Sequence, residues 1–158
     1  MSSPVSPAAS APTSTASDAA LTELAASLRL AITRTARRLR QEAGIDLSPS
    51  QTAALSTIER HGPLTPSELA ALERVQRPTA TRIVARLEGE GHLQRAADPA
   101  DGRSFVVSTT AQGRALLRKL RSRKNAYLAR RLRELSGDEV AILARAAEIL
   151  ERLDGERG

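Results

Sequence analysis

The chain has no cysteine and almost no aromatic residues. The absence of cysteine excludes disulfides, thiolate metal ligands, cysteine nucleophiles and thiol-based redox sensing. Phe105 and Tyr127 are the only aromatic residues, so a core has to be built from Leu, Ile, Val and Ala, which suits closely packed helices. With only two histidines, His61 and His92, no metal site is expected.

Long apolar runs are missing as well. No run approaches the roughly 18 residues that a membrane helix needs, and the N-terminus lacks the apolar segment of a signal peptide. Residues 1–17 are small, polar and interrupted by proline, which predicts a flexible tail. We therefore expect a cytoplasmic protein with no membrane partner, in which residues 18–158 form a single domain.

Patterns that would indicate an enzyme are also absent. Neither histidine stands in a recognisable catalytic pattern, and no glycine-rich phosphate loop occurs. The carboxylates fall in helix caps and surface stretches rather than in a paired constellation. We therefore expect no catalytic residues and no cofactor.

Positive charge is what the chain has in excess, with a formal net charge of +6. Residues 60–134 carry 16 Lys and Arg against 7 Asp and Glu, whereas the remainder carries 8 against 11. A basic middle between slightly acidic ends favours a polyanionic partner, although arginine-rich helices are often simply solvated.

Helix signals are frequent along the chain. Apolar residues at helical spacing predict an amphipathic first helix over residues 18–41, ending near Gly44. Three capping boxes, in which a Ser or Thr and a Glu or Gln three residues later satisfy each other's backbone donors, predict helices that begin at Ser48, Thr65 and Ser136. A long helix is also expected from Thr110 onward.

Two of the predicted helices are close neighbours in the chain. Residues 65–73 and 77–88 are separated by about three residues, which is the spacing of a helix-turn-helix. Short strands at 93–95 and 104–107 follow, and the Pro, Asp and Gly between them favour a β-hairpin. Since a hairpin after a helix-turn-helix is the wing of a winged helix, the predicted fold is mainly α with a small β-hairpin wing.

Residues 64–117 resemble the MarR (multiple antibiotic resistance regulator) family. The most specific part is the ordered set S-E-L-A, R-L-E-x-x-G-x-L-x-R, D-x-x-D-G-R and T-x-x-G. One departure is Thr109, which stands where the family usually has Leu. The resemblance implies a winged helix-turn-helix lobe at 48–110 and dimerisation helices at 18–44 and 111–154.

The resemblance further implies that the second helix of the helix-turn-helix reads base edges in the major groove of duplex DNA. Gln can pair with adenine, Arg can fork onto guanine, and Ala80 can lie against a thymine methyl. Alternatively, Arg82 and Arg86 pair with nearby acids, Glu88 and Glu90 or those of the wing. The residues expected to face the groove are Gln76, Arg77, Thr79, Ala80, Arg82 and Arg86.

The wing is expected to supply Arg103 to the minor groove, whose negative potential attracts inserted arginine. Asp101 would orient that guanidinium through a charge-assisted hydrogen bond, and the alternative is a surface ion pair of little consequence. Gly102, where many family members have Arg, leaves Arg103 as the main wing arginine. Thr65 and Ser67, at the start of the helix-turn-helix, are expected to contact DNA phosphates.

The mode of action also follows from the resemblance. Apolar stripes on the first and last two helices exceed what one winged helix can cover, which predicts a homodimer on a pseudo-palindromic site. Repression is the commoner role in the family, and a small anionic aromatic effector would relieve it. Residues that could contact such an effector, or else be core or solvated, are Arg34, Arg38, His61 and Tyr127.

Three other functions are alternatives to specific regulation. A winged helix can coat DNA without sequence preference, which the basic helix from Arg114 to Arg133 would suit, or it can bind protein. A metal-sensing regulator is disfavoured because the chain has no Cys and only two His.

Overall fold

The structure is a computed structural model that describes residues 17–44 and 47–155. Apart from Ser17, the predicted flexible tail lies outside the described residues. The elements in chain order are α1 (Asp18–Ala43), α2 (Pro49–His61), α3 (Pro66–Leu72), α4 (Arg77–Gly89), β1 (Leu93–Ala97), β2 (Phe105–Thr109), α5 (Ala111–Leu132) and α6 (Gly137–Gly155). This order confirms the predicted mainly α fold with a hairpin wing.

All three predicted capping boxes are formed. The Ser48 Oγ accepts from the Gln51 amide at 3.2 Å, and the Ser48 amide donates to the Gln51 side chain at 2.8 Å. Each box satisfies backbone donors that a helix start leaves without a partner, so α2, α3 and α6 begin within one residue of their predicted positions. The same reciprocal bonds join Thr65 to Glu68 and Ser136 to Glu139.

The core is aliphatic, as the scarcity of aromatic residues predicts. It lies where α2, α3, α4, β2 and the first half of α5 meet, and Phe105 only packs against its edge. Full burial of one aliphatic side chain contributes about 1.5–3 kcal/mol, so this cluster supplies most of the lobe's stability. The largest fully buried side chains are Leu55, Ile58, Leu69, Val84, Leu87 and Val107.

The turn between α3 and α4 spans residues 73–76, one more than predicted because α3 ends one residue earlier. Arg74 adopts a left-handed conformation with φ of 52°, which is uncommon for a residue other than glycine. The Thr57 hydroxyl of α2 donates to the Glu73 carboxylate at 2.5 Å. This bond ties the turn to α2 and so helps to set the angle between the two helices.

The wing is a two-stranded antiparallel hairpin in which Leu93 lies opposite Thr109 and Ala97 opposite Phe105. Both strands extend two residues further than predicted at their C-terminal ends, β1 to Ala97 and β2 to Thr109. They do so because the paired ladder runs the whole way from Leu93, beside α4, to the loop. A further bridge joins Leu64 to Val107, with backbone bonds of 3.1 and 2.8 Å. The base of the wing is therefore held by the segment that precedes α3.

By its internal contacts the chain divides into two compact units, one up to Arg38 and the other from Leu39. In the first unit, α1 exposes a series of apolar side chains, and none of its described residues there is buried. No helix in the described ranges is long and apolar enough to cross a membrane. The exposed apolar residues of α1 are Leu21, Leu24, Leu28, Leu30 and Ile32.

In the second unit, the apolar faces predicted for the last two helices are only partly buried. Leu117 and Leu120 of α5 enter the core, whereas Leu128 is 39% exposed. None of the described α6 side chains is buried, and Leu143 and Leu153 of its apolar stripe are 46% and 58% exposed. An apolar stripe of this kind is covered only when another surface packs on it.

Candidate nucleic-acid interface

Helix α4 presents one face to the core and the opposite face to solvent. Val84 and Leu87 are buried at the spacing of one helical face. Arg82 and Arg86 lie one turn apart on the exposed face, and Arg77 is exposed at the start of the helix. In a helix-turn-helix, this exposed face of the second helix is the one that enters the major groove.

Ala80 does not belong to that face, so the prediction that it contacts a thymine methyl is wrong. Its exposed fraction is 0%, and it is part of the core cluster. It lies four residues before Val84 on the same side of the helix, where a base edge cannot reach it. Its small side chain serves the packing of the helix-turn-helix instead.

The remaining groove residues differ in how far their side chains are engaged. Gln76 is exposed and makes no side-chain capping bond, whereas Thr79 is half-buried. The guanidinium groups of Arg77 and Arg82 have no hydrogen-bond or ion-pair partner among residues 17–44 and 47–155. Arg86 donates from Nε to Glu90 at 2.5 Å while remaining 69% exposed. The alternative of pairing with a nearby acid is thus met by Arg86 and not by Arg82.

A surface depression of about 390 Å³ lies between the start of α2 and the exposed face of α4. It brings together three of the residues that were predicted to face the groove. The hydroxyl, amide and guanidinium groups around it are donors of the kind that contact DNA phosphates. The lining residues are Ser48, Ser50, Gln51, Thr79, Arg82, Ile83 and Arg86.

At the start of α3, the two residues predicted to contact phosphates are in different states. The Thr65 hydroxyl donates to the Glu68 carboxylate at 2.8 Å and accepts from the Glu68 amide, so the helix cap engages it. Hydrogen bonds from the Thr65 backbone and side chain lower the pKa of Glu68 below its ordinary value, because they favour the ionised carboxylate. Ser67 is exposed and is the better placed of the two to meet a phosphate.

In the wing loop, Asp101 shapes the backbone rather than holding the Arg103 guanidinium. Its carboxylate accepts from the Arg103 amide at 3.0 Å, and its carbonyl accepts from the Ser104 amide at 2.8 Å. The expected bond between the two side chains is not formed, and the Asp101 carboxylate accepts from the main chain instead. The Arg103 side chain is exposed and has no partner in the part of the chain that the structure describes.

The T-x-x-G motif forms a tight junction between the wing and α5. The Thr110 hydroxyl donates to the Gly91 carbonyl at 2.7 Å and accepts from the Gly113 amide at 3.0 Å. A Cβ atom added to Gly113 would lie 2.2 Å from the His92 carbonyl oxygen. The end of α4, the start of β1 and the start of α5 therefore meet here, which fixes the wing beside α4.

Thr109, the departure from the family pattern, is buried with an exposed fraction of 6%. Its hydroxyl donates to the Glu59 carboxylate of α2, and the Arg114 guanidinium donates to its carbonyl at 2.8 Å. The polar side chain is tolerated at this buried position because its hydroxyl is hydrogen-bonded to Glu59.

No role was predicted for Arg95 from the sequence, although it ends the G-x-L-x-R part of the family motif. Its Nη2 donates to the Glu88 carboxylate of α4 at 2.7 Å. Its Cζ lies 3.8 Å from the centre of the Phe105 ring. One wing side chain therefore contacts both α4 and the opposite strand.

The residues considered for an effector fall in both compact units. Arg34 and Arg38 are exposed residues of α1 in the first unit. In the second unit, His61 is exposed at the end of α2, and the half-buried Tyr127 carries the Arg130 guanidinium 5.5 Å from its ring centre. Among the described residues, no three or more His, Asp or Glu side chains are grouped so that they could hold a metal ion.

Comparison with known proteins agrees with this geometry. The model of the MarR family matches residues 47–105. An uncharacterized HTH-type transcriptional regulator of Mycobacterium leprae is 40% identical over 133 residues, which cover 83% of this chain and 93% of that protein. A transcriptional regulator protein of Pseudomonas aeruginosa is 37% identical with a TM-score of 0.77, covering 85% of this chain and 95% of its own.

A mutant of MepR from S. aureus, solved bound to an oligodeoxyribonucleotide, shares the fold at 20% identity. Its TM-score is 0.65, and the match covers 82% of this chain and 97% of MepR. The Mycobacterium leprae relative is the evidence for family membership, because 40% identity extends over nearly all of that protein. The chain therefore belongs to the MarR family of helix-turn-helix transcriptional regulators, which bind DNA and are not enzymes.

Proposed function

We propose that the protein binds a specific duplex DNA site, with α4 in the major groove and the wing in the minor groove. The observation that carries this proposal is that the side chains of Arg77, Arg82 and Arg103 are exposed and have no hydrogen-bond or ion-pair partner among the described residues. Free guanidinium groups can fork onto guanine or contact phosphates, and Gln76 can pair with adenine. MepR, which has the same fold, supports DNA as the ligand.

The remaining site residues have supporting roles in this proposal. Arg86, Thr79 and Ser67 contact phosphates and so set the register of α4 on the duplex. Thr65 contributes chiefly through the cap that starts α3. Asp101 holds the loop conformation from which the Arg103 side chain projects.

We also propose that the protein acts as a homodimer. The lobe of residues 48–110 contacts DNA, and the helices in 18–44 and 111–154 form the dimer interface. Support comes from α1 and α6, each of which exposes a row of large apolar side chains that a second copy can cover. Two lobes related by a two-fold axis would meet half-sites about one helical turn apart on a pseudo-palindromic operator.

Repression in the cytoplasm is the proposed outcome of operator binding, since a dimer seated on a promoter excludes other proteins from the same DNA. A small anionic aromatic ligand that prefers the unbound form would relieve it. The residues proposed to contact such a ligand are Arg34 and Arg38 in the first unit, or His61 and Tyr127 in the second. Benzoate is expected to weaken operator binding in an anisotropy titration, and acetate is the control for added anion. Equal effects of both salts would remove ligand relief from the proposal.

The test of DNA binding uses fluorescence anisotropy with the duplex immediately upstream of the protein's own gene. Wild-type protein is expected to bind at nanomolar concentration in the presence of excess random duplex. Arg103→Ala is expected to bind at least about tenfold more weakly, roughly 1.4 kcal/mol, because the minor-groove contact is lost. Arg145→Ala is a matched control, since Arg145 is an exposed arginine of α6 outside the lobe.

Two results would count against specific binding. If random duplex removes the probe as readily as unlabelled probe does, the protein coats DNA through its net charge and does not read sequence. If Arg103→Ala binds as tightly as wild type at physiological salt, the wing does not enter the minor groove.

A further inference from the structure

Arg95 occupies a position where the strand pattern calls for an apolar residue. In the hairpin register Leu93 lies opposite Thr109 and Arg95 opposite Val107, and opposed residues share a face of the sheet. Leu93, Val107 and Thr109 are all buried, so this is the face that packs on the core. An arginine at the edge of that face loses part of its hydration, and a hydrogen-bonding or stacking partner offsets that cost.

The partners are Glu88 and Phe105, and they belong to two different elements. Glu88 lies in the last turn of α4, and its carboxylate accepts from Arg95 at 2.7 Å. Phe105 starts β2 and supplies the ring on which the guanidinium stacks at 3.8 Å. A planar guanidinium can stack and donate in its plane at the same time, which an ammonium group cannot do.

Among the described residues, no hydrogen bond or ion pair joins residues 96–106 of the wing to another element, although residues 98–100 line one depression with Thr65 and Glu68. The bridge from Leu64 reaches only as far as Val107, and the loop that carries Arg103 lies beyond Phe105. Isolated two-stranded ribbons are marginally stable and twist readily. The side chains of Arg95 and Glu88 are 43% and 33% exposed, so this ion pair contributes little to the free energy of unfolding. Its main effect is on the orientation of the wing relative to α4.

We propose that Arg95 is a positioning residue that locks the wing to the recognition helix α4, so that Arg103 meets the minor groove when α4 is seated in the major groove. This inference rests on the proposed DNA binding. In this inference the Arg95 guanidinium acts by holding the wing against α4 through Glu88 and Phe105, not by a DNA contact of its own. Arg95 therefore acts through Arg103, and losing Arg95 removes most of what Arg103 contributes.

A double-mutant cycle on the operator duplex tests this coupling. Arg103→Ala is expected to weaken binding at least about tenfold in wild type, but less than about threefold in Arg95→Met, which keeps an unbranched apolar stem. The slope of log K against log salt should also fall by about one phosphate contact in Arg95→Met, as in Arg103→Ala. Adding Glu88→Gln to Arg95→Met removes the unpaired carboxylate, and the effect of Arg103→Ala should remain below about threefold in this background.

Matched variants separate positioning from general charge loss. Arg86→Met also breaks an arginine–acid pair of the same lobe, but that pair does not touch the wing, so its effect should add to that of Arg103→Ala. Arg95→Lys keeps the charge and should still resemble Arg95→Met. Additive effects of Arg95→Met and Arg103→Ala would overturn the inference.

A measurement without DNA keeps the inference distinct from the proposed function. Hydrogen exchange of the free protein is expected to accelerate at least about tenfold at the distal wing amides of Arg95→Met, with α4 unchanged. Unchanged hydrogen exchange of the wing amides would overturn the inference that Arg95 holds the wing to α4, even if wild type binds its operator. Failure of wild type to bind any site would overturn the proposed function. Faster exchange of the wing amides in Arg95→Met would still support the contact between the wing and α4.

Discussion

Gly113→Ala is expected to lower the free energy of unfolding by about 3 kcal/mol, at the upper end of the usual cost of overpacking. The added Cβ would lie 2.2 Å from the His92 carbonyl oxygen, a backbone atom that also accepts from the Thr110 amide at 3.0 Å. Since neither backbone segment can yield without breaking that bond, the junction between the wing and α5 would open. Thermal unfolding should show a decrease in Tm of roughly 10 °C.

Gly137→Ala is the matched control, because this glycine also lies in the first turn of a helix and its added Cβ would meet nothing within 4 Å. Alanine has the higher helix propensity, so this variant should be as stable as wild type or more so, by up to about 1 kcal/mol. Both variants are compared at one protein concentration, because association changes the apparent stability. Equal Tm values for Gly113→Ala and wild type would show that α5 does not approach His92 this closely.

The same glycine illustrates which features the sequence could supply. The capping boxes at Ser48, Thr65 and Ser136 are local, because the two residues of each box satisfy each other within one turn. Such signals located the helix starts to within one residue. The T-x-x-G pattern was visible as well, but its cause was not, since Gly113 is required by the backbone of His92, which lies 21 residues earlier in the chain.

Side-chain roles that depend on helix phase or on competition between partners could not be predicted in this way. Ala80 was assigned to the groove because of its place near the start of α4, and only the packed structure shows that it lies on the buried face. The Asp101 carboxylate could accept from either the guanidinium or the backbone amide of Arg103, and in the structure it accepts from the amide. The Arg95 contact with Glu88 required the wing and α4 to be placed together first.

Leu143→Glu is expected to convert the proposed dimer into a monomer and to weaken operator binding about 100-fold, or roughly 2.7 kcal/mol. Leu143 is 46% exposed within one chain, so the substitution should leave the fold of the protomer intact. In a dimer formed through α6, the carboxylate would enter an apolar interface without a partner, which is strongly unfavourable. A monomer can occupy only one half-site, and the affinity contributed by the second lobe is lost.

Analytical ultracentrifugation at micromolar concentration measures the first effect, and anisotropy with the operator duplex measures the second. Ala141→Glu is the matched control: it adds the same charge at an exposed position of α6 roughly 160° around the helix from Leu143. This control should remain dimeric and should bind DNA as wild type does, while circular dichroism verifies that both variants are helical. Should Leu143→Glu sediment as a dimer, α6 would not form the interface, and the apolar row on α1 would be the surface to change next, because it is the other large unpacked apolar face among the described residues.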